Sequence, residues 1–281
     1  MKADLTHTAS SASTNSERGR ASFGSRQEHL RSIALAWQLA RLDLVRRYTT
    51  TMLGLAWAVV APLLMAAVIG VVFAKLFGVE LRTFLPYLFM NLTLWGFFLA
   101  ALDGGAISFL AAEGYIKQIP KVSLFTYPLR MIFAAIVTLV LGLCAASFVS
   151  VLFGGPIGWN WLWALPGLVF WFAFGFALAC ISGVFNTALR DFQYIQSVGA
   201  QALFYATPVM FPADLLVGHG LGWLLTYNPI YHLMFLVRVP ILLNEMPPLA
   251  NFLAAGAAVV VTLLFAYLVV ARARLRLVFW L

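Results

Sequence analysis

Leu189 to Pro212 reads Leu-Arg-Asp-Phe-Gln-Tyr-Ile-Gln-Ser-Val-Gly-Ala-Gln-Ala-Leu-Phe-Tyr-Ala-Thr-Pro-Val-Met-Phe-Pro. Arg190 and Asp191 interrupt a long apolar region, and no charge follows until Asp214. Pro208 and Pro212 then stand four residues apart. Proline lacks a backbone N–H and disfavours helix in the residue before it, so a helix that leaves water at Arg190 cannot continue regularly past Thr207. Charge at one end, an apolar run, then a paired-proline break describe a segment that enters a membrane and stops short as a regular helix.

Composition points the same way. Of 281 residues, 63% are hydrophobic and 10% charged, whereas soluble domains are about a quarter charged. The length has room for roughly six spans of about 20 residues each. The net charge of +8 does not indicate nucleic acid, because the arginines stand at the ends of apolar runs, as orienting residues of membrane proteins do. Cys144 and Cys180 lie inside apolar runs without CxxC or Cys/His spacing, which suits neither a disulfide nor a metal.

Working outward gives an all-α polytopic membrane protein. Residues 1–28 are polar and low in hydrophobics, so a disordered tail is expected, with no cleavable signal peptide. Over 29–48, Leu30, Ile33, Trp37, Ala40, Leu44 and Tyr48 share one helical stripe, which predicts an amphipathic interface helix. Leu35, Leu39 and Leu42 break its polar face and predict a second surface covered by protein. Six spans are expected in the 49–281 transmembrane domain, at about 52–74, 84–112, 131–152, 161–187, 193–210 and 249–271. Gly142/Ala146/Ser150 and Gly175/Ala179/Gly183 form small-residue stripes that let helices approach closely. Between Pro212 and Pro248 the apolar pieces are too short to cross, which predicts a re-entrant or interfacial hairpin between spans five and six. With both termini cytoplasmic, the inner segments 1–51, 113–130, 190–191 and 272–281 hold 8, 3, 1 and 3 basic residues, 15 of the chain's 18.

Catalysis is not indicated. No Gly-x-x-x-x-Gly-Lys-[Ser/Thr] run exists, so any ATP would be hydrolysed by another chain. No paired-Asp motif or His/Cys cluster suggests metal chemistry. Arg190-Asp191 reads as an ion pair ending two helices, or more sharply as a latch beside a partner. Asp103, alone in its span, marks a functional candidate. Aromatic residues make up 15% of the chain. Trp95, Phe97, Phe98, Phe204 and Tyr205, with Asp103, are candidates for a conduit on which sugar rings slide; packing against lipid and helices is the plainer reading.

Several stretches resemble the membrane subunit of ABC-2 type polysaccharide exporters, the group of O-antigen and capsule permeases. They are Arg47-Tyr48 with Leu53-Gly54-Leu55-Ala56-Trp57 and Pro62-Leu63-Leu64-Met65; Ile116-Lys117 through Pro120; Arg190-Asp191 with Pro208-Val209-Met210-Phe211-Pro212; and Tyr227-Asn228-Pro229. The resemblance covers roughly residues 30–275 and includes the order of the elements. It implies a homodimer of six-span subunits in the bacterial cytoplasmic (inner) membrane, carrying two copies of a separate nucleotide-binding ATPase. ATP and magnesium would be bound by that ATPase and no cofactor by this chain. The cargo would be a lipid-linked polysaccharide leaving through the dimer interface, with the 212–247 hairpin at its exit. Arg46 and Arg47 on the first helix, and Glu113, Tyr115, Lys117, Pro120 and Lys121 in the following loop, would receive the ATPase's motion. Gln118-Ile119-Pro120-Lys121 departs from relatives that carry Phe-Pro after a Lys-rich stretch. Exporters of a small lipid or drug are the nearest alternative; a lipid-modifying enzyme and a passive channel are more distant ones.

Overall fold

A computed structural model describes residues 31–46, 52–118, 122–274 and 276–281. The expected tail at 1–28, and Arg47, Pro120 and Lys121, lie outside the described residues. Among the described residues there is helix and no strand. We label the helices α1 (31–46), α2 (Trp57–Phe77), α3 (Leu81–Ser108), α4 (Glu113–Gln118), α5 (Thr126–Leu152), α6 (Ala164–Ala188), α7 (Phe192–Ala206), α8 (Ala213–Gly218), α9 (Gly222–Tyr227), α10 (Pro229–Leu243), α11 (Leu249–Ala273) and α12 (Leu277–Trp280).

Five helical segments are long and apolar enough to cross a membrane: Gly54–Phe77, Leu81–Ser108, Thr126–Leu152, Trp159–Ala188 and Leu249–Ala273. The chain is a multi-pass membrane protein. Where 193–210 was expected to make a further span, α7 has 15 residues, about 22 Å at 1.5 Å per residue, short of a hydrocarbon core of roughly 30 Å. The paired prolines end it. Thr207 turns to extended backbone and its N–H closes the last helical bond onto Leu203. The third span begins at Thr126, earlier than the expected 131, because Arg130 is neutralised inside the fold.

At the centre, α3 packs against α2, α5 and α6, and α6 packs in turn against α10 and α11. Between apolar helices in lipid the hydrophobic effect supplies little drive, so close van der Waals contact has to hold them. The small-residue stripes provide it. A Cβ on Gly105 would sit 2.4 Å from the Ala179 Cα, and one on Gly183 would sit 2.8 Å from the Gly105 carbonyl oxygen. On α5, a Cβ at Gly142 would meet the Thr93 methyl at 2.5 Å.

Two polar ends result. One collects Phe153, Gly154, Asn160, Asn244 and the helix break; there Arg82 Nε donates to the Phe153 carbonyl, and Asn160 Nδ2 donates to the Asn244 carbonyl at 2.6 Å. The opposite end holds α1, α4, Arg190 and α12 around a cluster that includes Phe109, Ile116, Tyr127, Val184, Val270 and Leu277. Helix α1 buries Ala36 and Ala40, with Leu35 and Leu39 beside them, while Ile33, Leu42 and Val45 face outward and half-exposed Trp37 packs edge-on against Phe133 of α5. Ala40 thus belongs to the protein-facing side, apart from Ile33, with which its spacing had grouped it.

Candidate functional site

The break after α7 is the most heavily tied polar region among the described residues. Leaving the helix frees backbone carbonyls in apolar surroundings, where each unsatisfied group costs several kcal/mol. Helix α3 supplies the donors. Tyr87 lies with its hydroxyl 2.8 Å from the Pro208 carbonyl oxygen and 2.9 Å from that of Phe211, one proton serving two acceptors. One turn on, Asn91 Nδ2 reaches the Val209 carbonyl at 3.2 Å and that of Pro208 at 3.4 Å. From the other side Asn228 Nδ2 donates to Thr207 Oγ1 at 2.8 Å. Its Oδ1 accepts from the backbone N–H of Ile230 at 3.0 Å and caps α10. Asn-Pro suits this position: the Asn side chain caps, and proline at the first helical position forfeits no bond.

Arg238, on α10, closes the group. It is 7% exposed, with its guanidinium carbon 4.7 Å from the Tyr87 ring centroid and Nη1 3.4 Å from Asn91 Oδ1. Tyr87 and Asn91 were absent from the residues singled out by sequence. The Tyr227-Asn228-Pro229 motif and the rarity of charge around Arg238 were the signals that pointed there.

At the other end, Arg190 and Asp191 are exposed and form no ion pair among the described residues. The α6–α7 turn is held by uncharged groups. Asn186 Nδ2 donates to the Ala106 carbonyl at 2.9 Å and its Oδ1 accepts from the Gln193 N–H at 3.1 Å. Ser182 and Gln196 both donate to the Leu102 carbonyl. Helix α4 anchors through buried Ile116 and presents Glu113, Tyr115 and Lys117 outward. Lys117 Nζ bonds Glu113 Oε1 at 2.6 Å and holds the Glu113 carboxyl below its ordinary range. Helix α1 is fastened to α5 by a two-pronged pair: Arg130 Nε and Nη2 donate to the Asp43 carboxylate at 2.6 Å each. Arg46 is exposed at the end of α1.

The aromatic candidates divide by exposure. Trp95, Phe97 and Phe98 are buried in the core. Phe204 packs on Trp95 with centroids 5.2 Å apart, and Tyr205 stands edge-on to Phe204 at 5.6 Å. Tyr205 is 65% exposed and Tyr194 74%. On α7 only Ala200 is buried, so most of this helix's surface has no cover within the subunit. Asp103 is exposed on α3, with no ion-pair partner among the described residues.

These features define a polytopic helical membrane protein in which the fourth long segment is followed by a short helix ended by a clamped proline break. Residues 34–242 match the sequence profile of the ABC-2 type transporter family, and the chain belongs to that family. It is similar to the O-antigen export system permease protein RfbA of Klebsiella pneumoniae, 27% identical over 192 residues, covering 67% of this chain and 72% of that protein. It is also similar to the O-antigen export system permease protein RfbA of Myxococcus xanthus, 25% identical over 229 residues, covering 81% of this chain and 87% of that one.

Proposed function

We propose that this chain is the membrane permease subunit of an ATP-driven exporter that carries a lipid-linked polysaccharide outward across the bacterial cytoplasmic membrane. The likeness to O-antigen export permeases over two thirds or more of both chains carries this reading. In it, the arginine-rich end with α1, α4 and α12 is cytoplasmic, as the charge bias requires, and the Pro208 end faces outward. Helix α7 then crosses as the fifth of six spans with the help of its break, and residues 212–247 form the outer re-entrant hairpin. Two copies pair, and two copies of a separate ATPase, which binds ATP and magnesium, dock on α1 and α4. Glu113, Tyr115, Lys117 and Arg46 stand on the exposed surface suited to that docking, with Arg47, Pro120 and Lys121 next to them in sequence.

The uncovered face of α7 is the natural wall of the path between two copies. Tyr194 and Tyr205 present aromatic faces there, while Trp95, Phe97 and Phe98 stiffen the helix packing behind Phe204. Deleting the gene in its host should abolish surface polysaccharide and leave lipid-linked glycan inside, as read by immunoblot and lipid extraction. Complementation should need the cognate ATPase, and Tyr205→Ala should restore less than half of the surface polymer while accumulating normally in the membrane. Unchanged polysaccharide after deletion, with loss of a small exported lipid or drug, would favour the alternative cargo.

A further inference from the structure

At the Pro208 end, the start of α3, the end of α5, α8 and α10 enclose a cleft of about 770 Å³, within the roughly 300–1,000 Å³ of small-ligand sites. Its lining is chemically mixed. Tyr87, Tyr231 and Phe235 give aromatic surface, and Arg238 stands in the wall. Asp214 and Glu245 are exposed at the rim, as are Glu80 and Arg82.

Arg238 is the unusual member. A guanidinium buried to 7% exposure needs acceptors around it, yet it enters no ion pair among the described residues. It bonds Asn91 at 3.4 Å and interacts with the Tyr87 and Tyr231 side chains, all uncharged partners, and part of its five-donor fork still faces the cleft. A small anion would answer Arg238 but meet three rim carboxylates. A cation would suit the rim but meet Arg238 and Arg82. A polyol satisfies both sets: its oxygens accept from the guanidinium, its hydroxyl protons go to the carboxylates, and its C–H faces lie on Tyr231 and Phe235.

We propose that this cleft is a carbohydrate-binding site that holds a short stretch of glycan at the outward end of each subunit; the ligand class rests on the permease reading above. The mixture of charge signs around an aromatic floor distinguishes it from a lipid-facing groove.

The test uses full-length protein in nanodiscs and, as probe, oligosaccharide fragments released by mild acid from the host's own surface polysaccharide, with affinity read by titration calorimetry. Saturable binding is expected. Asp214→Asn and Glu245→Gln, both at exposed positions, should each weaken it about tenfold, the effect of one charge-assisted hydrogen bond, and Arg238→Lys at least as much. Affinity unchanged in both rim variants overturns the site, whatever Arg238→Lys does to folding. Equal binding of inorganic phosphate, with displacement of the fragments, also overturns it, since an anion site would then be present. No binding by the wild type, in a host that loses its surface polysaccharide on gene deletion, removes the cleft and leaves the permease reading standing. Binding as described in a host whose polysaccharide survives the deletion keeps the cleft and removes the permease reading.

Discussion

Tyr87 and Asn91 are one turn apart on α3 and between them receive the carbonyls of Pro208, Val209 and Phe211. Replacing Tyr87 by Phe keeps the ring beneath Arg238 but leaves the Phe211 carbonyl without its donor and the Pro208 carbonyl with only the long bond from Asn91, a loss of about 1–3 kcal/mol. Tyr87→Phe and Asn91→Leu are each expected to lower the thermal midpoint of the detergent-solubilised protein by several degrees, followed by fluorescence-detected gel filtration. Unaltered midpoints in both would show that the break is held by other means. The prolines that make this break were plain in the sequence. The residues that satisfy it were not, because an uncharged Tyr or Asn in an apolar run does not say which face it occupies. Arg190 and Asp191 show the converse: their charge marked the edge of the membrane, while buried Asn186 bonds across the turn beside them.

Among elements, the α3–α6 seam and the attachment of α1 decide the arrangement. Gly105 lies so near Ala179 that any side chain must push the helices apart. Gly105→Leu should therefore destabilise by about 1–3 kcal/mol or more, as overpacking does, whereas Gly96→Ala, with nothing within 4 Å of the added carbon, should be neutral. Thermal midpoints of the two variants check this. Spacing in the sequence announced these small-residue stripes. By contrast the Asp43–Arg130 pair joins residues 87 apart, and no periodicity reports a contact at that distance. Asp43 lies off the apolar stripe at 29–48, and Arg130 closes the inner segment 113–130. Both are largely covered, so removing one partner strands the other: Asp43→Asn or Arg130→Met should each cost about 2 kcal/mol. The double variant should cost less than the sum, and a double-mutant cycle on thermal unfolding measures the coupling. Strict additivity would mean the pair contributes no more than its two separate side chains. The end of α7 at Ala206 was announced by Pro208 and Pro212, although hydropathy alone continues through Met210 and had carried the expected span to residue 210.

For the whole molecule, hydropathy and basic charge were enough to read a helical bundle with two unlike ends, and ordered motifs were enough to read its family. The make-up of the cleft at the Pro208 end was only partly readable, because it gathers residues from four separate helices. In the proposed function the chain is a conduit without its own power source. The arginine-rich end carries α4 on a buried cluster, with its charged face turned out, and the opposite end carries the clamped break and the cleft. In the proposed function, motion delivered to one end would reach the other through α3, which spans both and contributes Tyr87 and Asn91 at its start. The most direct test is transport of radiolabelled lipid-linked polysaccharide in inverted membrane vesicles containing this chain, with and without the host's cognate ATPase. Glycan should enter the lumen only when the ATPase and hydrolysable ATP are both present, and should stay outside with a non-hydrolysable analogue. Entry at the same rate with this chain alone would contradict the account.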